Sequence, residues 1–442
     1  MMWNEIIEQK LQSMNMDQYE LYFADVESTT IEVYDQQVEC FTPSHSQGLS
    51  LRIVDDKRFG FSYTTDFTRA GVDRVISNAL MSARNTSADE WNAFPKPSMP
   101  LPKLNLWDQH VVSIPKEEKI DKVKQLEKEA RTYDSRITKV RKAIYQERNA
   151  TESLLNSNGL NRSHRRTLFT CSIEVVAEGR GDSQTGWDLD FSCFYRDLDV
   201  ANIGRLAAIR AIGLLGAKPT SSFKGAVVLD NRVASQFLGV LAPSFLAESV
   251  QKNKSILKGK METKIVSDKI HVIDDGLYPG GVATTPFDGE GVARQCTALV
   301  ENGILTNFLY DTYSAKKANT HSTGNSSRGS IKSPPRVGYS NLYIKSGKEN
   351  PDAILSYVDK GLFVNDVMGI HTANPVSGDF SVGVHGCLIN HGKKTTPVKG
   401  VAIAGNVLTV FDRAVAVGND LRFYGHTGSP SILIEDMDIS GN

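Results

Sequence analysis

The sequence predicts an α+β protein with two parts: an N-terminal mixed helix and sheet domain over 1–220, and a β-rich C-terminal domain with a few helices over 221–442. Three observations carry this. A strand-strand-helix pattern recurs at a spacing of about 120 residues, as expected of one domain built from two related halves. The pattern changes near AKPTSSFKG, residues 217–225. Beyond that point, short apolar runs alternate with closely spaced turn signals.

In the first half, WNEIIEQKLQS (3–13) has a helical pattern, and ELYFADVESTTIEVYD supplies alternating, β-branched strand material. A glycine-rich turn is expected next, followed by a hairpin in GLSLRIVDDKRFGFSYTTDF around Asp55-Asp56. Val72, Val75, Ile76 and Leu80 then form a helical stripe in TRAGVDRVISNALMSARN. In the second half, TLFTCSIEVVAEGRGDSQTGWDLDFSCFYRDL reads as two strands and VANIGRLAAIRAIGLLGA as a helix. Between the halves, the proline-rich NAFPKPSMPLPKLNLW is expected to be extended, and KEEKIDKVKQLEKEARTY to be a helix with a solvated charged face.

The C-terminal part opens with GAVVLD, a short buried-type strand, and continues into DNRVASQFLGVLAPSFLAESVQKNKS. Asp230 or Asn231 can cap a helix there, and Val233, Phe237 and Leu241 share one face. Pro243 lacks an amide donor and its ring clashes with the carbonyl of Gly239, so the helix ends or kinks and resumes in SFLAESVQKNKS. DDGLYPGG, DGEG, ENG, NHGKK and AGN mark later turns, and Asn302-Gly303 predicts a tight hairpin.

Composition narrows the function classes. A formal net charge of −1 and a pI near 6.8 give no global attraction for nucleic acid or for anionic lipid. MMWNEIIEQKLQ lacks the apolar core of a signal peptide, and IGRLAAIRAIGLLGA is broken by Arg205 and Arg210, so a cytoplasmic protein without direct nucleic-acid or membrane contact is expected. The five cysteines, Cys40, Cys171, Cys193, Cys296 and Cys387, are scattered without a CxxC pair and read as reduced thiols.

Common catalytic signatures are missing: there is no GxSxG, no P-loop, no HExxH and no HxxEH. Among the nine histidines, only VHGCLINH offers a ligand spacing, with His385 and Cys387 on one strand face and His391 beyond a turn; a buried Cys and a turn His fit the same residues. Asp274 and Asp275 point to opposite faces and read as a turn, and Asp288 and Glu290 in FDGEG read as solvated turn carboxylates. In HSTGNSSRGSIKSPPR, Gly324 and Gly329 permit close backbone approach to a ligand, and Arg328 could hold a carboxylate.

Taken in order, DDGLYPGG, TTPFDGEGVARQCTALVENGILTNFLYDTYSAKKAN, STGN, NPVSGDFSVG, PVKGVAIAGN, VAVGNDL and SPSILIEDMDISG make the chain resemble the TldD/PmbA family, a proteolytic pair also known as modulators of DNA gyrase. The resemblance spans nearly the whole chain. In the TldD branch the helix that follows the GAVVLD-like strand carries His-Glu-x-x-x-His. Positions i and i+5 lie about 140° apart on a straight helix, so two imidazoles reach one zinc only if it is distorted. The resemblance puts those three positions on Ala242, Pro243 and Ala247, and the family's third ligand, a cysteine near the C-terminus, has no counterpart after Cys387. This pattern resembles the PmbA (TldE) branch.

The resemblance therefore implies a subunit with no catalytic residue or metal ligand of its own, joined to a TldD-like protease subunit that carries zinc and acts on unfolded peptide. Thr323, Gly324, Asn325, Arg328 and Asp379 would face that peptide. Two alternatives stand beside it: an independent metallopeptidase using His385, Cys387 and His391, and a homo-oligomeric peptide-binding protein that modulates gyrase inhibitors.

Overall fold

A computed structural model of the chain describes residues 2–16, 18–97, 100–179 and 181–441. It is an α+β fold built on three six-stranded sheets. The N-terminal elements are α1 (Met2–Ser13), β1 (Tyr19–Tyr34), β2 (Gln37–Asp55), β3 (Arg58–Thr64), α2 (Arg69–Arg84), α3 (Lys116–Tyr133), β4 (Ile137–Asn156), β5 (Asn161–Gly179), β6 (Asp182–Ser192) and α4 (Val200–Gly213). Their sheet runs β3-β2-β1-β4-β5-β6. Each half contributes three strands flanked by two helices, and the halves join where β1 pairs antiparallel with β4.

Several expectations need correction here. Each half has three strands, the extra one in the second half being β4, whose mixture of Lys, Arg and Glu hides its alternation. No glycine-rich turn precedes the hairpin: β2 runs unbroken through Pro43 and Gly48, and the reversal falls at Asp35 and Gln36, both at positive φ. The next hairpin turns at Asp56 and Lys57. The charged helix α3 is not solvated all round. Glu127 is fully buried and accepts the Asp35 and Gln36 amides at 2.9 and 2.7 Å, which fixes the β1–β2 turn. Ser98 and Met99, in the stretch expected to be extended, lie outside the described residues.

The C-terminal elements begin with β7 (Phe223–Leu229), α5 (Asn231–Leu241) and α6 (Ala247–Gln251), then β8 (Val272–Asp275), β9 (Cys296–Glu301), β10 (Ile304–Leu305), α7 (Thr312–Lys317), β11 (Ser326–Ser327), β12 (Arg336–Val337), β13 (Leu342–Ile344) and α8 (Pro351–Ser356). They end with β14 (Lys360–Met368), β15 (Asp379–Asn390), β16 (Lys393–Asn406), α9 (Val407–Asp412), β17 (Ala414–Val417), β18 (Arg422–Tyr424), β19 (Thr427–Ser429) and β20 (Ile432–Ser440). One sheet runs β10-β9-β8-β13-β19-β18; the other runs β16-β15-β14-β7-β20-β17 and closes on itself where β16 also pairs with β20. This contact, at Ala402 and Ile403, covers part of the β16 edge.

Asp230 caps α5, its carboxylate accepting the Arg232 amide at 3.0 Å. Val233, Phe237 and Leu241 are buried in the largest core, which both C-terminal sheets share. The break at Pro243 falls where the ring geometry requires it: α5 stops at Leu241, one tight turn spans 242–245, and the helix resumes at Ala247. Asn302 and Gly303 turn the β9–β10 hairpin at φ of 47° and 77°. A Cβ on Gly303 would run into the carbonyls of Val266 and Ser267, so the turn needs glycine. Among the described residues no helix is long and apolar enough to cross a membrane.

Candidate functional site

Where the N-terminal sheet meets the C-terminal domain, four charged side chains form a buried chain. Glu20 on β1 binds the Arg52 guanidinium on β2 at two points, one of them Nε–H to Oε1 at 2.8 Å. Arg328 donates from the far domain to the same Glu20 oxygen at 2.6 Å, and Arg52 also reaches Glu290 at 3.2 Å. Burial alone would raise the Glu20 carboxyl, yet the two guanidiniums outweigh it and hold it below its ordinary value. Glu290 has a single guanidinium contact and the Thr312 amide at 2.9 Å, and burial, with Asp311 and Asp288 nearby, pushes it up to about 7.

Behind Glu290 the DGEG turn is a scaffold of hydrogen bonds. Asp288 accepts the amides of Glu290, Val292 and Ser326 at 2.9, 3.0 and 2.8 Å. Asp274 accepts from Asn325 Nδ2 at 2.6 Å and from the Ser340 amide and hydroxyl at 2.6 and 2.8 Å. Asp288 and Glu290 are each 3 % exposed, so their reading as solvated turn carboxylates is overturned, and Asp274, read as a turn residue, is 1 % exposed on β8. Asp288 and Glu290 do lie at a turn, but the segments packed over that turn take the solvent away.

A cleft of about 340 Å³ opens in front of this chain. Arg52, Phe59 and Phe94 line it from the N-terminal side, and Glu248 of α6, Glu290, Asp311, Tyr313 of α7 and Arg336 from the other. The cleft thus sits against the helix segment in which Ala242, Pro243 and Ala247 fall. Leu246 and Leu309 bridge the backbones of that segment and of the irregular stretch leading to Asp311.

The structure brings some of the expected binding residues into this region, though they are already occupied. Arg328 does hold a carboxylate, and it is the chain's own Glu20; its remaining donors go to the Gly289 carbonyl and Ser50, and its side chain is 3 % exposed. Thr323 and Asn325 belong to the Asp274 scaffold, with Thr323 Oγ1 2.7 Å from Asn325 Oδ1. Gly324 adopts φ of 70° and packs against the Ala293 carbonyl. Asp379 stands apart at the start of β15, exposed and accepting from Asn406 at 2.9 Å. The pairing of Arg328 with Asp379 on one binding surface is not seen.

Glu20, Arg52, Glu248 and Asp311 were missed by the sequence reading. A charged residue inside an apolar strand run, as in LRIV around Arg52, was the available signal, because such a charge stays buried only if it is paired.

Residues 222–441 match the PmbA/TldA metallopeptidase C-terminal domain, 109–215 its central domain and 19–83 its domain 1. The chain belongs to the TldD/PmbA family. Metalloprotease PmbA of Escherichia coli O157:H7 is 27% identical over 89% of this chain and 85% of its own length. Two solved structures share the fold. TldE from Thermococcus kodakarensis superposes with a TM-score of 0.90 at 24% identity, covering 98% of this chain and 100% of its own. A candidate modulator of a DNA gyrase from Thermotoga maritima MSB8 gives 0.91 at 24% identity, covering 99% of both chains. The chain is therefore a metallopeptidase-like member of the TldD/PmbA family.

A zinc ion, which metallopeptidase relatives in the TldD/PmbA family imply, does not fit the three positions on which the resemblance puts the His-Glu-x-x-x-His motif, Ala242, Pro243 and Ala247. Ala242 and Ala247 are 0 and 2 % exposed and carry only methyl groups, and Pro243 has neither a ligand atom nor a base. Among the described residues no three His, Cys, Asp or Glu side chains stand together as a metal group. The alternative set does not converge either. His385 lies opposite Asp366, the Cys387 thiol faces the Gly213 carbonyl, and His391 sits exposed on its turn beside Asp359.

Proposed function

We propose that this chain is a non-hydrolytic subunit of a cytoplasmic TldD-type zinc metalloprotease complex, and that it helps hold unfolded peptide for a TldD-like partner that carries the zinc. One observation supports this above the rest: Ala242, Pro243 and Ala247, the positions onto which the family resemblance puts His-Glu-x-x-x-His, carry only hydrocarbon, and the first and last of them are buried. The relatives named PmbA and TldE support the same reading, as one half of a proteolytic pair.

An extended peptide would add as a strand to an open sheet edge, such as β3 or β6 of the N-terminal sheet. Five unpaired thiols suit a reducing compartment, and a net charge of −1 gives no reason for direct nucleic-acid contact. The assembly is a hetero-oligomer in this reading.

The test is an assay of an unstructured peptide with this chain alone, with a TldD-like chain alone and with both. Cleavage is expected only where the TldD-like chain is present, with chelator abolishing it and this chain increasing it. Chelator-sensitive cleavage by this chain alone ends the proposal.

A further inference from the structure

We propose that the cleft between β2, residues 92–94 and the α6–α7 side is a recognition pocket for one cationic group, an alkylammonium or guanidinium, carried by an extended peptide. This rests on the peptide-holding reading above and names what the peptide must present.

Three carboxylates from separate segments reach the cleft: Glu248 from α6, Glu290 from the DGEG turn and Asp311 from the cap of α7. The charges in and behind it do not balance. Glu20, Asp274, Asp288, Glu290 and Asp311 are all buried and Glu248 stands at the rim, while the cations beside them are Arg52, Arg294, Arg328, the Lys252 that pairs with Glu248 and the Arg336 of the cleft wall, so six carboxylates meet five cations. Asp311 makes no salt bridge among the described residues; its carboxylate accepts from the Ser314 amide and hydroxyl at 2.8 and 2.5 Å. Glu290 shares Arg52 with Glu20, which takes the larger part of that guanidinium. The upward shift of Glu290 to about 7 has the same origin, burial first and then the neighbouring carboxylates.

A pocket short of positive charge stabilises a cation and repels an anion. Its walls suit the rest of such a group. Phe59, Phe94 and Tyr313 line it, and Arg52 already lies 5.1 Å from the Phe94 ring, so this wall accepts guanidinium contact. A volume of about 340 Å³ admits a single long side chain or a chain terminus. Glu248 is held by Lys252 at the partly exposed rim, a contact that an entering cation can replace without unfolding anything.

The test uses the full chain and fluorescence anisotropy with three Gly-Ser-Ala peptides: one N-acetylated with a single arginine, the same peptide with citrulline, and one with a free amino terminus and no arginine. The arginine peptide is expected to bind about tenfold tighter than the citrulline peptide. That ratio should fall to about threefold or less in Glu248→Gln and in Glu290→Gln, and stay unchanged in Glu435→Gln, a remote exposed control. Tight binding of the third peptide assigns the pocket to an α-ammonium as well as a side chain. Equal affinity for arginine and citrulline, or a ratio unmoved by both pocket variants, overturns the proposal. N-acetyl-arginine methylamide separates the two readings. If it binds with the same dependence on Glu248 while no peptide does, the pocket stands and the peptide-holding reading fails; if it does not bind either, the pocket falls.

Discussion

At the scale of single residues, Glu290 shows how domain packing changes a side chain's chemistry. Its ordinary value is 4.5, and burial raises it to about 7, with Asp311 and Asp288 adding to burial and Arg52 and the Thr312 amide opposing it. The folded state therefore holds a proton that the unfolded chain has lost between these two values. Stability from this group is full below about pH 4.5 and is lost as pH rises through about 7, up to about 3 kcal/mol at pH 8. Glu290→Gln carries no such slope. Relative to wild type, its melting temperature is expected to rise steadily from pH 5 to pH 8. A difference that stays flat across that range would mean that Glu290 ionises freely in the fold. Glu20 behaves in the opposite sense, because two guanidiniums hold it ionised, so the comparison with Gln at 290 is needed to isolate one group from the other.

At the scale of elements, the α5–α6 segment carries side chains without ligand atoms at Ala242, Pro243 and Ala247. Ala242 lies in the main core with Phe237, Leu238 and Phe245, and the buried Ala247 donates its amide to the Leu309 carbonyl on the stretch that leads to α7. Placing histidines there adds two polar rings to filled space. Ala242→His/Ala247→His is expected to lose about 2–4 kcal/mol in urea unfolding and to bind no stoichiometric zinc by elemental analysis. Near-stoichiometric zinc with unchanged stability would show that the segment retains a working metal geometry. This segment was also the most legible in the sequence. The cap at Asp230, the stripe of Val233, Phe237 and Leu241 and the break at Pro243 are each local effects, visible within one turn of helix. The Asn302-Gly303 hairpin was legible for the same reason. By contrast β4 was not, since its exposed face carries Lys139, Arg141, Lys142 and Arg148 and only its partners β1 and β5 make it a strand. Asp288 and Glu290 were misread because their local pattern is that of a turn, while the partners that enclose them are distant in sequence: Arg52 of β2, 238 residues from Glu290, and the Ser326 amide, 38 residues from Asp288.

At the scale of the whole molecule, two buried ionic clusters join the N-terminal sheet to the C-terminal domain at separate places. One is Glu20 and Arg52 with Arg328 and Glu290, on β1 and β2. The other is on β6 at the sheet edge, where the fully buried Asp188 accepts from Arg210 at 2.6 Å and from Arg422 of β18 at 2.9 Å. Tyr424 extends the second cluster, its hydroxyl accepting from Arg210 at 3.0 Å and donating to Asn231 at the start of α5. Each cluster satisfies charges that neither domain could keep buried alone, so opening either joint exposes or strands them. The two domains are therefore expected to melt together, in a single calorimetric transition whose van't Hoff and calorimetric enthalpies agree. Breaking one joint leaves the other. Asp188→Asn leaves two guanidiniums without their carboxylate and should cost about 3–5 kcal/mol, whereas Arg328→Met leaves Glu20 one of its two guanidiniums and should cost less, while the transition stays single in each. In the double variant only the Arg52–Glu290 contact is left of the first joint and Asp188 no longer holds the second, so the transition should broaden or split, with the N-terminal domain and the closed C-terminal sheet melting less cooperatively. Two transitions already present in the wild type would show that the clusters position the domains without coupling their stability, and the cleft at their junction would then be free to open and close as the domains move.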